Sequence, residues 1–318
     1  PEPQRDSQAW KLMEEQIERL ARALGRTNRT PVRKLLEGRT GRRRKRFYEG
    51  ARRYHQNGVE QKDSIITEMQ KLEFYEQSKI ADKEDRGIQF RSVTYNVALA
   101  QYLHQIEERL IGTHYLGFHP VAKGLTPAQR CERLFAFAEL FDEPEFYSID
   151  HARFDAHVHE WLLRLEHKVY LYCCRKHPEL VRLLRMQRKN KGYTKGGIRY
   201  KIRGKRMSGD INTGLGNTIL NLCMLLAWLQ ASGVTKFRIL LDGDDSVVII
   251  EKSDIAKLIP IEEFMLQLGM ETEMTHTPDI WKVDFCQSRP VLLPTENGPR
   301  PVFVRNPLKV ITTMGRTA

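Results

Sequence analysis

The stretch LLDGDDSVVII, from Leu240 to Ile250, sets three acids, Asp242, Asp244 and Asp245, between two apolar runs. Runs of β-formers on both sides of a Gly-Asp turn predict a β-hairpin, because glycine tolerates the positive φ that a tight turn requires. Acids at such a turn are ambiguous, since Asp and Gly are also the residues that any solvated turn prefers. The hairpin tip is therefore either a charged surface turn or a metal site.

A second acid ends a strand upstream of the hairpin. The pattern predicts a short strand from Phe146 to Asp150 and a helix from Ala156 to about Arg175. If this strand neighbours the hairpin, Asp150 and Asp244 meet at one sheet edge. Two carboxylates in that position can hold two Mg²⁺ ions about 4 Å apart, an arrangement that supports in-line phosphoryl transfer.

Periodicity and turn signals predict the other elements, which together indicate an α+β fold. Helices are expected over residues 8–25 (capped by Ser7), 96–111, 126–141 and 213–231, and after Ser253, where Pro260 breaks or restarts the helix. A loop or hairpin is expected over residues 189–204, and short strands near residues 271–275, 283–287, 291–294 and 302–304.

Positive charge is concentrated in two stretches of the chain. The net charge is +12, yet residues 26–53 hold 12 Lys/Arg against two acids, and residues 182–206 hold 11 Lys/Arg and no acid. Such stretches suit a polyanion, because phosphates release counterions when Lys and Arg neutralise them. The alternatives are two solvated helix faces or a localisation signal.

Cysteine usage and hydropathy constrain the compartment. The five cysteines form no C-x-x-C pair and their number is odd, which favours a reducing compartment over a disulfide framework. The longest apolar run, Leu222 to Leu229, is too short to cross a bilayer, so no transmembrane segment is expected. A chain that starts at Pro1 is expected to be part of a longer protein.

Two further segments carry polar groups in unusual settings. In SGDINTGLGN, Ser208 to Asn217, Thr213 and Asn217 are four residues apart on an otherwise apolar helix, and the preceding Gly-rich entry permits close approach of backbone to a ligand. Asp155 lies five residues after Asp150; its alternative explanation is an acid favoured by a helix N-terminus.

In this order, these segments resemble motifs A, B and C of viral RNA-dependent RNA polymerases, and most closely those of the tombusvirus and carmovirus replicases. The matching patterns are Asp150-x4-Asp155, Ser208-Gly-x3-Thr213-x3-Asn217 and Gly243-Asp244-Asp245. FCQSRPV at residues 285–291 resembles motif E, and RGIQFRSVTYN, from residue 86, resembles the basic motif F. The resemblance covers roughly residues 38–310 and is specific in combination.

The resemblance implies an α+β right-hand polymerase. An antiparallel palm sheet flanked by helices, mostly helical fingers and a thumb that is largely missing are expected. The implied domains are fingers over residues 1–130 (with motif F near 79–91), palm over 131–176, a fingers insertion over 177–206, palm over 207–289 and the start of a thumb over 290–318.

The resemblance also implies roles for individual residues. Catalysis and ligation of two Mg²⁺ ions, for which Mn²⁺ can substitute, are assigned to Asp150, Asp244 and Asp245. Nucleotide binding is assigned to Asp155, Ser208, Gly209, Thr213, Asn217, Arg86 and Arg91, with Lys71 or Lys79 assisting. RNA binding is assigned to Arg42, Arg43, Arg44, Lys45, Arg46, Arg199, Lys201, Arg203 and Lys205. Asp242 is expected to have no role, and Cys286 stands where the family pattern has a cysteine.

The implied activity is template-directed RNA synthesis from NTPs, replicating a positive-strand RNA viral genome. The expected partners are template RNA, nascent RNA, NTPs and other viral or host replicase components. The expected location is the host cytoplasm, at membrane-associated replication complexes reached through regions outside this chain. In one place the pattern departs from the family: Gly269 is followed by Glu271 and Glu273, with no Lys before Lys282 to protonate pyrophosphate.

Three other functions compete with this interpretation. His157-Val158-His159 matches the His-hydrophobic-His signature of rolling-circle nucleases, with Tyr170 or Tyr172 as nucleophile, but that signature requires a strand and the segment predicts a helix. His151, Asp155 and His159 have the spacing of a helical metal cluster or of a polar face. A reverse transcriptase shares the two-metal site but usually carries an aromatic residue where Gly243 stands, and a non-catalytic RNA-binding module leaves the acids unexplained.

Overall fold

The computed structural model describes residues 1–71, 86–296 and 298–313. The helices of this part of the chain are α1 (Gln8–Leu24), α2 (Val32–Leu36), α3 (Gly41–Asn57), α4 (Val93–Gly112), α5 (Pro127–Ala138), α6 (Phe154–His157), α7 (Glu160–Cys173), α8 (Pro178–Met186), α9 (Thr213–Ala231), α10 (Ile261–Gln267) and α11 (Pro307–Thr313). The strands are β1 (Ile66–Gln70), β2 (Gly87–Phe90), β3 (Pro144–His151), β4 (Lys189–Thr194), β5 (Arg199–Arg203), β6 (Phe237–Asp242), β7 (Asp245–Glu251), β8 (Thr272–Thr277), β9 (Ser288–Leu293) and β10 (Arg300–Arg305).

The chain divides into two compact units. Unit 1 comprises Pro1–Leu20, Leu110–His157 and the described residues from Gly216 onward; unit 2 comprises Ala21–Arg109 and Val158–Leu215. This mixture of helices and mostly antiparallel sheets confirms the α+β prediction.

Unit 1 is built on an antiparallel sheet with strand order β6-β7-β3-β8. The aliphatic run of β7 is fully buried, as expected for a strand paired on both sides. The apolar part of α9 is also buried, and Trp228 near its C-terminal end donates its indole N–H to the carbonyl of Ile259 at 2.9 Å. A second ribbon pairs β9 with β10.

Unit 2 is built on a mixed sheet with strand order β2-β1-β4-β5. Its β1 runs parallel to β4 and antiparallel to β2, and β4 and β5 form a hairpin. Its helices bury a small apolar cluster that joins α2, α3 and α4: Leu35, Phe47, Ala51, Val97 and Ala100.

Several local predictions are confirmed. The Ser7 hydroxyl oxygen accepts a hydrogen bond from the backbone N–H of Trp10 at 3.1 Å, the N-cap that begins α1. Pro127 begins α5 with Thr126 as its cap, and the acidic hairpin forms between β6 and β7. The segment predicted as a loop or hairpin over residues 189–204 is the β4–β5 hairpin.

Three local predictions are wrong. The helix expected over residues 156–175 is interrupted, because the Val158 carbonyl accepts from the N–H of Lys205 and His159 is extended. Ser253 does not cap a helix; residues 252–257 form a 3-10 turn, and the helix begins only after Pro260.

The strand expected over residues 283–287 is instead a tight turn. Backbone hydrogen bonds join Phe285 and Ser288 in both directions. Cys286 and Gln287 between them have positive φ angles of 52° and 57°, a conformation that side chains other than glycine rarely adopt. A residue-by-residue β pattern cannot foresee this reversal, because neither loop residue is a usual turn former.

Among the described helices, Thr213–Ala231 is long and apolar enough to cross a membrane by length and composition, but 83% of its apolar window is buried within the protein. A core helix has the same composition, so the criterion gives weak support for a membrane span.

Candidate active site

The tip of the β6–β7 hairpin is a two-residue turn. Asp242 and Asp245 are the last cross-strand pair, and Gly243 and Asp244 form the loop. Gly243 has a φ of +69°, whereas Asp244 does not have a positive φ, which is the pattern of a type II′ hairpin turn. The glycine therefore allows a sharp reversal that presents Asp244 at the tip.

Asp150 lies beside this turn. Strand β3 pairs antiparallel with β7, and the register opposes Ile149 to Ser246, so the next position brings Asp150 alongside Asp245. The prediction that the two acidic strands are neighbours is confirmed. Asp150 is exposed, and Asp244 and Asp245 are half-buried.

The carboxylates at this edge repel one another. Burial, together with the negative charges of Asp244, Asp150, Asp242 and Asp284, raises the pKa of Asp245 to about 6. In the described part of the chain, no three His, Cys, Asp or Glu side chains stand close enough to enclose a metal ion as placed. The donor chemistry nevertheless fits a hard divalent cation, because carboxylate oxygens are ligands that Mg²⁺ binds.

Asp242 has a cationic partner. The guanidinium of Arg130, on α5, forms an ion pair with its carboxylate and also donates to Cys286 Sγ at 3.3 Å. Burial raises the pKa of Cys286 to about 12, and the charge of Asp245 contributes. Arg130 thus links the base of the acidic hairpin to the turn at Cys286, and its charge compensates that of Asp242.

A buried chain of hydrogen bonds supports the β6–β7 turn, and sequence analysis missed it. Asn221, fully buried on α9, donates its amide N–H groups to the carbonyls of Gly243 at 3.1 Å and Asp244 at 3.0 Å. Its side-chain oxygen faces His151 Nε2 at 3.2 Å, and His151 Nδ1 lies 2.8 Å from the Thr272 hydroxyl. Burial lowers the pKa of His151 to about 4, so the imidazole is neutral at pH 7.

One turn before Asn221, α9 carries Asn217, which is predicted with Asp155 of α6 to surround a ribose. Asn217 Nδ2 donates to Asp155 Oδ1 at 2.9 Å, so the structure brings these two predicted residues together. The hydroxyl oxygen of Thr218, the next residue of the helix, accepts from the N–H of Gly243 at 3.2 Å. Thr218 and Asn221 could have been identified from the sequence because they are polar residues on a strongly apolar helix.

The segment in which the family pattern has a lysine carries two acidic residues, and the structure places other residues of unit 1 beside them. Glu273 on β8 is the cross-strand partner of Asp150, and Glu271 lies 3.7 Å from His157 Nε2. His157 Nδ1 is 2.7 Å from the Ala152 carbonyl. The nearest lysine downstream, Lys282, pairs with Asp279.

In unit 2, the loop that precedes α9 packs on β2. A Cβ on Gly209 would lie 2.6 Å from Phe90 Cβ and 2.8 Å from the Gln89 carbonyl oxygen, so glycine is required here by a neighbouring strand rather than by a ligand. The Ser208 hydroxyl oxygen accepts from the N–H of Gln89 at 3.3 Å, and the Thr213 hydroxyl lies within hydrogen-bonding distance of the Met207 and Asp210 carbonyls. The packing on β2 accounts for glycine at position 209, and the assignment of Gly209, Ser208 and Thr213 to nucleotide binding stays a prediction.

The two arginines predicted to grip a triphosphate have different environments. Arg86 is exposed at the start of β2. Arg91 is buried, with 0% of its side chain exposed, and its guanidinium pairs with Asp210 and donates to Asn190. This placement argues against a phosphate contact by Arg91 and indicates that it braces the loop at Asp210. Lys79 lies outside the described residues.

A second buried ion pair extends this polar interior. Glu166, on α7, accepts from Arg206 Nη1 at 3.2 Å and Nη2 at 2.5 Å, from the Tyr170 hydroxyl at 2.7 Å and from Asn212 Nδ2 at 2.9 Å. Gln187 then links Asn212 to Asp210, at 2.9 and 3.2 Å. The network holds the SGDIN segment at two of its polar side chains, Asp210 and Asn212.

The residues predicted to bind RNA are at the surface. Arg42 to Arg46 are exposed along the first turns of α3, and Arg199, Lys201 and Arg203 are exposed on β5, while Lys205 is half-buried. The structure is compatible with these roles, which stay predictions.

The competing histidine sites do not form. His157 ends α6 and His159 is the N-cap of α7, so they do not share a strand face as the nuclease signature requires. His151 lies on β3, which removes the helical spacing that linked it to Asp155 and His159.

Comparison with known proteins shows the family of the chain. A family model described as viral RNA dependent RNA polymerase matches residues 1–314. Among the relatives are the RNA-directed RNA polymerases of Tobacco necrosis virus (strain D), 31% identical over 92% of this chain, Melon necrotic spot virus, 34% over 86%, and Carnation mottle virus, 31% over 96%. The chain covers 42%, 35% and 40% of these relatives, respectively, so it spans about two fifths of their length. The match of nearly the whole chain shows that it belongs to the viral RNA-dependent RNA polymerase family.

Proposed function

We propose that the protein containing this chain synthesises RNA on an RNA template and thereby replicates a positive-strand RNA viral genome. The reaction is nucleotidyl transfer from NTPs to the 3′ end of a growing RNA. The observation that carries the proposal is the convergence of Asp150, Asp244 and Asp245 at one edge of the β6-β7-β3-β8 sheet. Membership of the polymerase family supports it independently.

The side chains divide the work in this proposal. Asp150 and Asp244 hold two Mg²⁺ ions, for which Mn²⁺ can substitute, and Asp245 supports the same site. When bound, such ions activate the attacking hydroxyl and stabilise the leaving pyrophosphate. Asn221 fixes the backbone of the turn, so that Asp244 is held in place before substrate arrives.

Asp155 and Asn217 form the ribose pocket in this scheme. Their mutual hydrogen bond places a carboxylate and an amide side by side, able to exchange that contact for the 2′-hydroxyl of an incoming nucleotide. A site built to bond this hydroxyl rejects a nucleotide that lacks it, because its polar groups are then left unpaired. Arg86 is proposed to contact the triphosphate.

The fold is proposed to be a right-hand polymerase, with the antiparallel sheet of unit 1 as the palm. The fingers and palm boundaries are those expected from the sequence, and residues 290–318 begin a thumb. The proposed partners are template and nascent RNA, NTPs and further replicase components, and the proposed location is a membrane-associated replication complex in the host cytoplasm.

A primer-extension assay tests the activity. The full-length protein, an annealed RNA primer and template, labelled NTPs and Mg²⁺ should give extended product, and Asp244→Ala or Asp150→Ala should abolish it. Asp142→Ala is the matched control, because it removes an exposed carboxylate just before the opposite end of β3. Circular dichroism establishes that each variant is folded. Full extension by Asp244→Ala would refute the proposed chemistry.

A further inference from the structure

The β4–β5 hairpin of unit 2 turns a regular face to solvent. Along β4, Lys189, Lys191 and Tyr193 are exposed, whereas Asn190 and Gly192 between them are buried. Gly192 is required on the buried side, because a Cβ there would lie 2.4 Å from the ring of Tyr200. The alternation therefore defines an outward face and an inward face, as in any half-buried strand.

The outward face is strongly basic on β5 as well. Cross-strand partners share a face, and the register pairs Lys189 with Arg203, Lys191 with Lys201 and Tyr193 with Arg199. Glu160 neutralises Arg203. In the described part of the chain, no carboxylate pairs with the other four cations: Lys189, Lys191, Arg199 and Lys201.

The cations of the outward face lie apart from the acidic residue of the sheet, and their mutual repulsion destabilises the sheet. The acidic residue of the four strands, Glu68, lies one position from Thr67 on β1 and so on the inward face, where its charge raises the pKa of Tyr200 in addition to the effect of burial. Like charges directly opposite each other on a sheet, such as Lys191 and Lys201, repel and destabilise it. A polyanion bound along this face would remove that repulsion.

The other half of the outward face is apolar. Thr67 pairs with Tyr193, and its hydroxyl donates to the Tyr193 hydroxyl at 3.4 Å. Met69, two residues along β1 and therefore on the same face, is 39% exposed and pairs with Ile88 of β2. Tyr193 itself is 47% exposed and stands where the apolar half meets the basic half.

We propose that this face, from β2 to β5, binds single-stranded RNA, with a base stacked on Tyr193 and the phosphates along the cations of β4 and β5. Single strands expose both a phosphate chain and unpaired bases, and proteins bind them by combining a basic track with an aromatic platform on a sheet. Duplex RNA hides its base faces and would leave Tyr193 and Met69 without a partner. The inference deepens the proposed function and rests on it for the identity of the polyanion as RNA.

Photo-cross-linking locates the contact. The full-length protein is bound to a short single-stranded RNA containing 4-thiouridine, without NTPs or divalent ions, irradiated and digested, and the cross-linked peptide is identified by mass spectrometry. We expect a cross-link within residues 189–203. Cross-links confined to other parts of the chain would overturn the assignment.

Binding measurements separate stacking from charge. In fluorescence anisotropy, Tyr193→Ala should weaken binding of the single strand about tenfold, the effect of losing one stacked base, and leave binding of an abasic strand of equal length unchanged. Tyr193→Phe keeps the ring and loses only the hydroxyl, so it should bind like the parent protein and control for folding. Wild-type affinity of Tyr193→Ala, or an equal loss on the abasic strand, would overturn the stacking role.

The basic half has its own readout. Lys191→Gln/Lys201→Gln should weaken both strands and lower the slope of log K against log salt by about 1.4, or about 0.7 for each phosphate that is no longer neutralised. Lys11→Gln, an exposed lysine on α1, is the control and should change neither quantity. An unchanged slope in the double variant, or tighter binding of duplex than of single strand, would overturn the proposal.

These outcomes are independent of catalysis, because binding is measured without NTPs. If Asp244→Ala retained extension while Tyr193→Ala lost RNA binding, the proposed catalytic mechanism would be refuted and the RNA-binding surface would be supported. If Asp244→Ala lost extension while Tyr193→Ala bound RNA normally, only the proposed surface would be refuted.

Discussion

Replacing Glu166 by Gln should destabilise unit 2 severely. The substitution keeps the size of the side chain and an acceptor for Tyr170 and Asn212, but it removes the negative charge opposite Arg206. Glu166 and Arg206 are 0% and 2% exposed, so no water can replace the lost partner. Removing one partner of a buried ion pair leaves the other charge buried, which lowers the free energy of unfolding by about 3–5 kcal/mol.

The assay is urea unfolding followed by tryptophan fluorescence and far-UV circular dichroism. With a dependence on urea of about 3 kcal/mol/M, at the upper end for single domains, the midpoint should fall by about 1–1.7 M. Glu108→Gln is the matched control, because Glu108 pairs with Lys34 at 3.1 Å but both side chains are about half exposed. An exposed pair of this kind contributes at most about 1 kcal/mol.

A double variant isolates the stranded charge. Glu166→Gln/Arg206→Met removes both charges and fills the space with an apolar chain, so it should be more stable than Glu166→Gln alone. A double variant no more stable than the single one would refute the argument from the buried charge of Arg206. So would a loss below about 1 kcal/mol in Glu166→Gln itself, since that is the range of exposed pairs.

The pH dependence has a definite sign. Burial by itself raises the pKa of Glu166, but the attraction of Arg206 outweighs it, so the pKa in the folded protein lies below the ordinary value of 4.5. The pair therefore stabilises the fold fully above pH 4.5, and this contribution is lost as the pH falls through the lowered pKa. The stability difference between the parent and Glu166→Gln should accordingly shrink with acidification; a constant difference would contradict the linkage.

Three further changes test the candidate site. Asn217→Ala should reduce the preference for NTP over dNTP in kcat/KM by about five- to tenfold, the effect of one hydrogen bond that Asn217 now makes with Asp155; unchanged discrimination would remove the ribose role. Asp242→Asn should retain most primer extension and lose about 1 kcal/mol of unfolding free energy, because its carboxylate is already paired with partly exposed Arg130; inactivity as deep as that of Asp244→Ala would show that it belongs to the metal site. Neutralising the exposed run at residues 42–46 should lower the salt slope of RNA binding by about 0.7 for each phosphate that the run neutralises, and an unchanged slope would mean that this run meets only solvent.

Local sequence patterns were sufficient to predict the secondary-structure elements that carry the acidic residues. The apolar runs around Gly243 predict the hairpin because side chains alternate along a strand and glycine suits its turn. The apolar run ending before Gly233 likewise predicts α9, which ends at Ala231. Predictions failed where a distant segment set the backbone, as at Val158, whose carbonyl is taken by Lys205.

Partnership between distant side chains was not visible in the sequence. Arg91 was assigned to a phosphate on the strength of its position in a motif, and the fold instead buries it against Asp210. The absence of a role for Asp242 stays a prediction, and the ion pair of Asp242 with Arg130 could not be foreseen from the sequence because it requires α5 to lie beside the hairpin. Neither the spacing of the residues nor the composition shows which charged side chains form ion pairs.

The sequence by itself determined the α+β class, the acidic hairpin, the helix that carries Asn217 and the family to which the chain belongs, because these depend on short-range periodicity and ordered motifs. Only the tertiary structure decided that Asp150 stands beside Asp245, that His151 and Asn221 support the turn from beneath, and that cations of β4 and β5 share one face with Tyr193. Strand register and burial are set by contacts between residues far apart in the chain, and a single sequence carries no direct record of those contacts.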